Sequence, residues 1–175
     1  MPPRVVLIGL RASGKSTLGR LLAERLGVGF VDLDDRTAAR LGAPSAGAGL
    51  RAAGEAAFRE AEAGALEEAL RAGGVVALGG GTPLAPGAAD ALRACGAPIV
   101  YLHASVEELE SRLSSSDLAT RPSLTGAGTV GEVGGVYAAR DPLFRSLSTV
   151  VVDTGDRDAR RVLSELERAA GSGEA

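Results

Sequence analysis

The chain has 175 residues, 45% hydrophobic and 23% charged, with a formal net charge of -3 and an isoelectric point near 5.3. That is enough sequence for one packed core, and the composition excludes a disordered, collagenous or coiled-coil chain. The acidic balance argues against a nucleic-acid or anionic-membrane surface, and no apolar run approaches the roughly 18 residues needed to cross a bilayer.

Met1-Pro2-Pro3-Arg4 carries no cleavable signal and leads into Val5-Val6-Leu7-Ile8, a continuous apolar run that reads as a strand buried on both faces. Gly9-Leu10-Arg11-Ala12-Ser13-Gly14-Lys15-Ser16 follows and fits G-x-x-x-x-G-K-[ST], the phosphate-binding P-loop. Its glycines let successive backbone N–H groups face an anion, and the next helix points its positive end at the same place. Of the 19 basic residues every one except Lys15 is arginine. A compact ammonium in that one position is what a narrow phosphate cradle requires. The motif implies a nucleoside triphosphate, with the loop amides and Lys15 on the phosphates and the Ser16 hydroxyl on Mg²⁺. Leu18, Leu21, Leu22 and Leu26 recur with helical spacing, and Gly27 ends that helix.

Phe30-Val31-Asp32-Leu33 reads as a second strand, with Asp34 at its end. Alternation along a strand predicts both carboxylates on one side, one to hold Mg²⁺ through water and one to face an acceptor hydroxyl. A solvated strand end or a helix cap accounts for the same residues. Residues 42–54, rich in Ala and Gly, read as a mobile insertion. Residues 55–71 predict a long helix with Phe58, Ala61, Ala65, Leu66, Ala69 and Leu70 on one side. On it Arg59 and Glu62 stand three apart, so the glutamate can hold the arginine for a carboxylate, or the two form an ordinary surface ion pair.

Val75-Val76-Ala77-Leu78 is the third strand, followed at once by Gly79-Gly80-Gly81, where a ligand can approach the backbone closely. Ile99-Val100-Tyr101-Leu102 is the fourth, with His103 at its end. One histidine and one cysteine, Cys95, make neither a zinc site nor a Ser-His-Asp or Cys-His centre. The lone cysteine leaves no disulfide framework and points to a reducing compartment. Residues 114–135, rich in Ser, Gly and Thr, form a second insertion containing Arg121-Pro122, and Arg140-Asp141-Pro142-Leu143-Phe144 closes a helix. Thr149-Val150-Val151-Val152 is the fifth strand, and a last helix carries Val162, Leu163 and Leu166. Strands alternating with helices predict an α/β domain, a parallel five-stranded sheet with helices on both faces. Insertions at one end of such a sheet serve as clamp or lid.

The set as a whole resembles the shikimate kinase family. The resemblance runs from Leu7 to about Leu163 and rests on the P-loop, Asp32-x-Asp34, Gly54-Glu55-x-x-Phe58-Arg59-x-x-Glu62, the triple glycine, Arg121-Pro122 and Arg140-x-Pro142-Leu143. It implies a nucleoside-monophosphate-kinase type of fold, with a substrate-binding segment over about 35–62 and a lid over about 114–128. It also implies ATP and Mg²⁺ as cofactors and phosphoryl transfer to the 3-hydroxyl of shikimate, in a cytoplasmic, monomeric enzyme with no nucleic-acid or membrane partner. By the same resemblance Ala12, Ser13, Gly14, Lys15, Ser16 and Thr17 bind ATP, with Ser16 and Asp32 on the metal and Arg112 on adenine. Lys15, Asp34 and Arg121 are the expected catalytic residues, Asp34 orienting or deprotonating the attacking hydroxyl and Arg121 meeting the transferring phosphoryl group. Arg59 and Arg140 would clamp the shikimate carboxylate beside Gly79, Gly80 and Gly81. The sequence departs from the family at Leu50, where an aromatic is usual, and at Ser123-Leu124, where two leucines are usual. Two other readings stay open: a kinase of another hydroxy acid such as gluconate, and a nucleotide-binding protein without turnover.

Overall fold

The computed structural model describes residues 1–115, 131–155 and 157–171. The expected Arg121 and nearly all of the expected lid over 114–128 lie outside them. Five parallel strands form one sheet: β1 (Val5–Ile8), β2 (Phe30–Asp32), β3 (Val75–Ala77), β4 (Ile99–His103) and β5 (Val150–Asp153), in the spatial order β2-β3-β1-β4-β5. β1 lies in the centre, with Val6 beside Val76 on one flank and Ile99 on the other. Each of its side chains is buried because both faces are covered.

Seven helices are described: α1 (Lys15–Leu26), α2 (Leu33–Arg40), α3 (Ala46–Arg71), α4 (Ala88–Ala94), α5 (Val106–Ser114), α6 (Val133–Leu147) and α7 (Ala159–Gly171). Strand alternation divides the core between the two faces. Val5, Leu7, Val100 and Leu102 pack with Leu22 of α1 and Leu163 and Leu166 of α7. Val6, Ile8 and Tyr101 pack on the other face with Leu66 of α3, Leu92 of α4 and Phe144 of α6. No helix among the described residues is long and apolar enough to cross a membrane.

Three expectations are corrected. The segment 42–54 is not a loop throughout, because α3 begins at Ala46 with Ser45 as its N-cap, the Ser45 hydroxyl accepting from the Ala48 N–H. Ala, Leu and Arg are strong helix formers, and their propensity outweighs the interspersed glycines. Gly54, at φ 81° and ψ 168°, interrupts the helix in a conformation open to glycine alone, and so redirects the turn that carries Arg59. Second, β2 stops at Asp32 and the chain turns at once into α2, so Asp32 and Asp34 do not alternate along a strand. Asp32 caps α2, its Oδ1 accepting from the Asp34 N–H at 3.1 Å. Third, Arg140 does not close a helix. α6 continues through Pro142 to Leu147 because the buried Phe144 and Leu147 offset the cost of an interior proline, about 3 kcal/mol.

Candidate active site

The carboxyl ends of β1, β2 and β3 meet at one edge of the sheet, and the site is assembled there. β1 releases the P-loop. Gly14 lies at φ 93° and Ala12 at φ 65°, the one non-glycine residue with positive φ among those described. This αL turn at Ala12 costs on the order of 1 kcal/mol, a strain typical of ligand-binding loops. The half-buried Lys15 ammonium bends back over the loop and donates to the carbonyls of Gly9 (2.9 Å) and Leu10 (2.7 Å). Burial lowers its pKa from 10.5 to about 8. Asp34 and Asp32 oppose that shift, and Arg11 and Arg140 add to it. A phosphate in the cradle would supply the missing countercharge. Ala12, Ser13 and Gly14 form the loop, Ser16 and Thr17 begin α1, and Ser13 is buried beneath the turn.

Ser16 and Asp32 come together, as their proposed shared task requires: the Ser16 hydroxyl donates to Asp32 Oδ2 at 2.6 Å. Two hard oxygen donors beside a phosphate loop fit Mg²⁺, which keeps several waters and seldom takes an all-protein cage. Among the described residues no group of three or more His, Cys, Asp or Glu side chains could hold a metal ion.

The capping bond that makes Asp34 helical also aims its carboxylate at the glycine run. A Cβ built on Gly79 would lie 2.5 Å from Asp34 Oδ1 and 2.9 Å from Thr82 Oγ1, so only glycine lets the carboxylate sit there. Gly80 is bracketed by the P-loop and by α6. Its Cβ position is 3.5 Å from the Arg11 backbone N and 3.7 Å from Arg140 Nη1, and its carbonyl accepts from Arg140 Nη1 at 2.8 Å. Gly81 lies beside the same guanidinium.

Arg59 approaches from α3. Its Nη1 donates to Glu62 Oε2 at 2.7 Å, and the other Glu62 oxygen accepts from Thr82 Oγ1 at 2.7 Å. Glu62 is 4% exposed and Thr82 1%, so this is a buried strut with one half-exposed guanidinium at its tip, not a surface pair. Burial lowers the Arg140 pKa, and the charges of Arg11 and Arg59 lower it further. Three arginines from three elements therefore share one region, and an anion there relieves their repulsion.

Arg112 bonds where the sequence reading had it stack. Nη1 donates to the Ala12 carbonyl and to Thr154 Oγ1, each at 3.3 Å, and Nη2 to the carbonyls of Thr154 and Gly155. Its edge ties the P-loop to the turn after β5.

Sequence reasoning missed Arg11, Thr82 and Thr154. Arg11 occupies a variable place in the motif, yet its charge reaches both Lys15 and Arg140. Thr82 had one available signal, its position directly after the triple glycine. Thr154 had none, since its partners, the Arg112 guanidinium and the carbonyls of Ser13 and His103, lie far away in sequence.

The sequence pattern of the family described as shikimate kinase (SKI) matches residues 11–170. A shikimate kinase of Mycobacterium avium (strain 104) is 40% identical over 168 residues, which cover 93% of this chain and 90% of that one. The structure of a shikimate kinase from Acinetobacter baumannii in complex with shikimate superposes with a TM-score of 0.85 at 28% identity, over 99% of this chain and 95% of that one. A gluconokinase from Sinorhizobium meliloti reaches a TM-score of 0.60 at 23% identity, over 98% and 91% of the two chains, and shares the fold alone.

Proposed function

This chain belongs to the shikimate kinase family, and from that premise we propose that it transfers the γ-phosphoryl group of ATP to the 3-hydroxyl of shikimate, giving shikimate 3-phosphate and ADP. The observation that carries the reading is the convergence of Arg140 and the Asp34 carboxylate on Gly79–Gly81, beside Lys15, with Arg59 near enough for its charge to act on Arg140. An acceptor with a carboxylate at one end and ring hydroxyls at the other matches that order of charges. The Asp34 carboxylate beside the two guanidinium groups favours an acceptor that carries both an acid group and hydroxyls.

Each residue then has a task. The loop amides from Ala12 to Thr17 hold the triphosphate, and Lys15 leaves its carbonyl partners to meet the β- and γ-phosphates. Ser16 and Asp32 are the residues that would hold Mg²⁺, which would supply positive charge against the phosphates. The faces of Arg112 receive adenine. Arg59, kept extended by Glu62, and Arg140, seated on the Gly80 carbonyl, bind the acceptor carboxylate. Asp34, held off the backbone of Gly79, accepts a hydrogen bond from the attacking hydroxyl and takes its proton as the phosphoryl group departs. Arg121 serves the transferring phosphoryl group. The protein works as a single kinase domain, a cytoplasmic monomer with a small-molecule partner; its acidic net charge supports the absence of a nucleic-acid or anionic-membrane partner.

The test combines two substitutions with one acceptor analogue. Arg59→Lys and Arg140→Lys keep the charge and lose the fork, so each should raise the acceptor KM and leave the ATP KM near wild type. A shikimate analogue without its carboxylate should then lose little further affinity in the variants, since both changes break one contact. Fully additive losses refute the clamp.

A further inference from the structure

Aromatic residues make up 3% of this chain, two tyrosines and three phenylalanines, and there is a single histidine. Both tyrosines, the histidine and Phe144 nevertheless gather in one place, between β4 and α6. The Tyr101 ring meets His103 edge-on at 5.6 Å and Phe144 at 5.3 Å between centroids, and His103 meets Tyr137 at 5.9 Å. Two polar rungs cross the same interface. Tyr101 Oη donates to Asp141 Oδ1 at 3.0 Å, and His103 Nε2 lies 2.8 Å from Tyr137 Oη. Arg145, one turn beyond, donates from Nε to Asp141 Oδ2 at 2.8 Å.

The spacing makes these rungs a ladder. Tyr101 and His103 are two apart on a strand and share a face, while Tyr137 and Asp141 are four apart on a helix and share a stripe. Two rungs one turn apart fix the helix against rotation about its own axis as well as against sliding. The strand side is rigid: Tyr101 is 1% exposed, and its Cα partner on β1 is Ile8, immediately before Gly9 of the P-loop. α6 is thus indexed to the strand that launches the phosphate cradle.

Arg140 directly precedes Asp141. It faces Gly80 while Asp141 faces β4. A guanidinium extends about 8 Å from its helix axis, so a 10° rotation of α6 would move it by about 1.4 Å. Displacements of this size have large effects at reacting centres. We propose that Tyr101 and Asp141 are positioning residues for Arg140: their partly buried hydrogen bond sets the rotation of α6, and with it the point at which Arg140 meets the carboxylate of the acceptor. This rests on Arg140 being a carboxylate-binding residue, as proposed above.

The test uses the full chain and steady-state kinetics with shikimate and ATP, for wild type, Tyr101→Phe, Arg140→Lys and the double variant. Tyr101→Phe removes one hydroxyl and keeps the ring, and Asp141 retains Arg145. It should raise the shikimate KM on the order of tenfold, with kcat and the ATP KM held within roughly twofold. In the Arg140→Lys background the same change should add less than about twofold, because the contact it serves is already lost. Tyr137→Phe, which removes the second rung, should raise the shikimate KM by a smaller factor. An unchanged shikimate KM in Tyr101→Phe beside a raised one in Arg140→Lys overturns the positioning role and leaves the carboxylate clamp standing. So does a full Tyr101→Phe effect in the Arg140→Lys background, or a parallel rise in the ATP KM. If Arg140→Lys itself leaves the shikimate KM unchanged, the clamp fails and the positioning proposal falls with it.

Discussion

Glu62 is the residue whose loss separates stability from function most cleanly. Its carboxylate accepts two hydrogen bonds, one from Thr82 Oγ1 and one from Arg59 Nη1, each at 2.7 Å. Glu62→Ala strands the Thr82 hydroxyl, which is 1% exposed. Leaving a buried group unpaired costs about 1–3 kcal/mol. The Arg59 side chain is 40% exposed, so solvent screens its half of the pair and the loss there is at most about 1 kcal/mol. Together these give roughly 3 kcal/mol, or a fall in Tm of about 6–12 °C for a domain of this size. Thermal unfolding followed by circular dichroism reads that figure directly. The functional effect has a different cause: Arg59 loses its stay and no longer waits in place for the acceptor, so the acceptor KM should rise while the ATP KM holds. The double variant Glu62→Met, Thr82→Val decides between the two effects. Replacing both polar partners by apolar groups should recover most of the Tm, and it cannot return Arg59 to its position. A double variant that regains the acceptor KM along with the Tm would refute the strut.

Further outcomes follow from the same geometry. Lys15 is held at a pKa of about 8 in the fold, against 10.5 ordinarily. Between those values the unfolded chain binds more protons than the native one, so stability should rise with pH across that window, by up to roughly 3 kcal/mol, and the penalty is fully present below it. Denaturant unfolding of wild type and Lys15→Met at pH 7.5 and 10 checks this, and the wild-type gain should be absent in the variant. Lys15→Ala and Lys15→Arg should both abolish turnover with the fold intact, and near-normal activity in either would sink the cradle assignment. Gly79→Ala places a Cβ 2.5 Å from Asp34 Oδ1 and should lower kcat with ATP affinity retained. At Gly80 the nearest atom lies at 3.5 Å, so Gly80→Ala should fold normally and raise the acceptor KM instead. Asp34→Asn should leave ATP binding unchanged and reduce kcat by about 10²-fold or more. Weakened Mg²⁺–ATP binding in that variant would exchange the roles of Asp32 and Asp34.

The strands, α1, the P-loop and the pairing of Arg59 with Glu62 were legible because each depends on local pattern: apolar runs, helical spacing and a motif with a fixed backbone task. β5 came out shifted by one residue, since it is an edge strand whose Val150 and Val151 are exposed and whose ends no core contact marks. α2 was hidden because its opening Asp-Leu-Asp reads equally as strand end and as helix cap, and only the cap bond to the Asp34 N–H distinguishes them. The early start of α3 was masked by glycines at 47, 49 and 54, of which only Gly54 breaks the helix. The seat of Arg140 on Gly80, the Glu62–Thr82 bond and the fastening of Arg112 to Thr154 each join residues 20 or more apart. No local periodicity encodes such contacts.

The central claim is that this site is shaped for a hydroxylated ring acid. The most direct measurement is ADP release by the purified chain, supplied with ATP, Mg²⁺ and, separately, shikimate, gluconate or a nucleoside monophosphate. The account predicts saturable turnover with shikimate at a kcat/KM at least about 10²-fold above either of the others. Equal or better turnover with gluconate or a nucleoside monophosphate would contradict it.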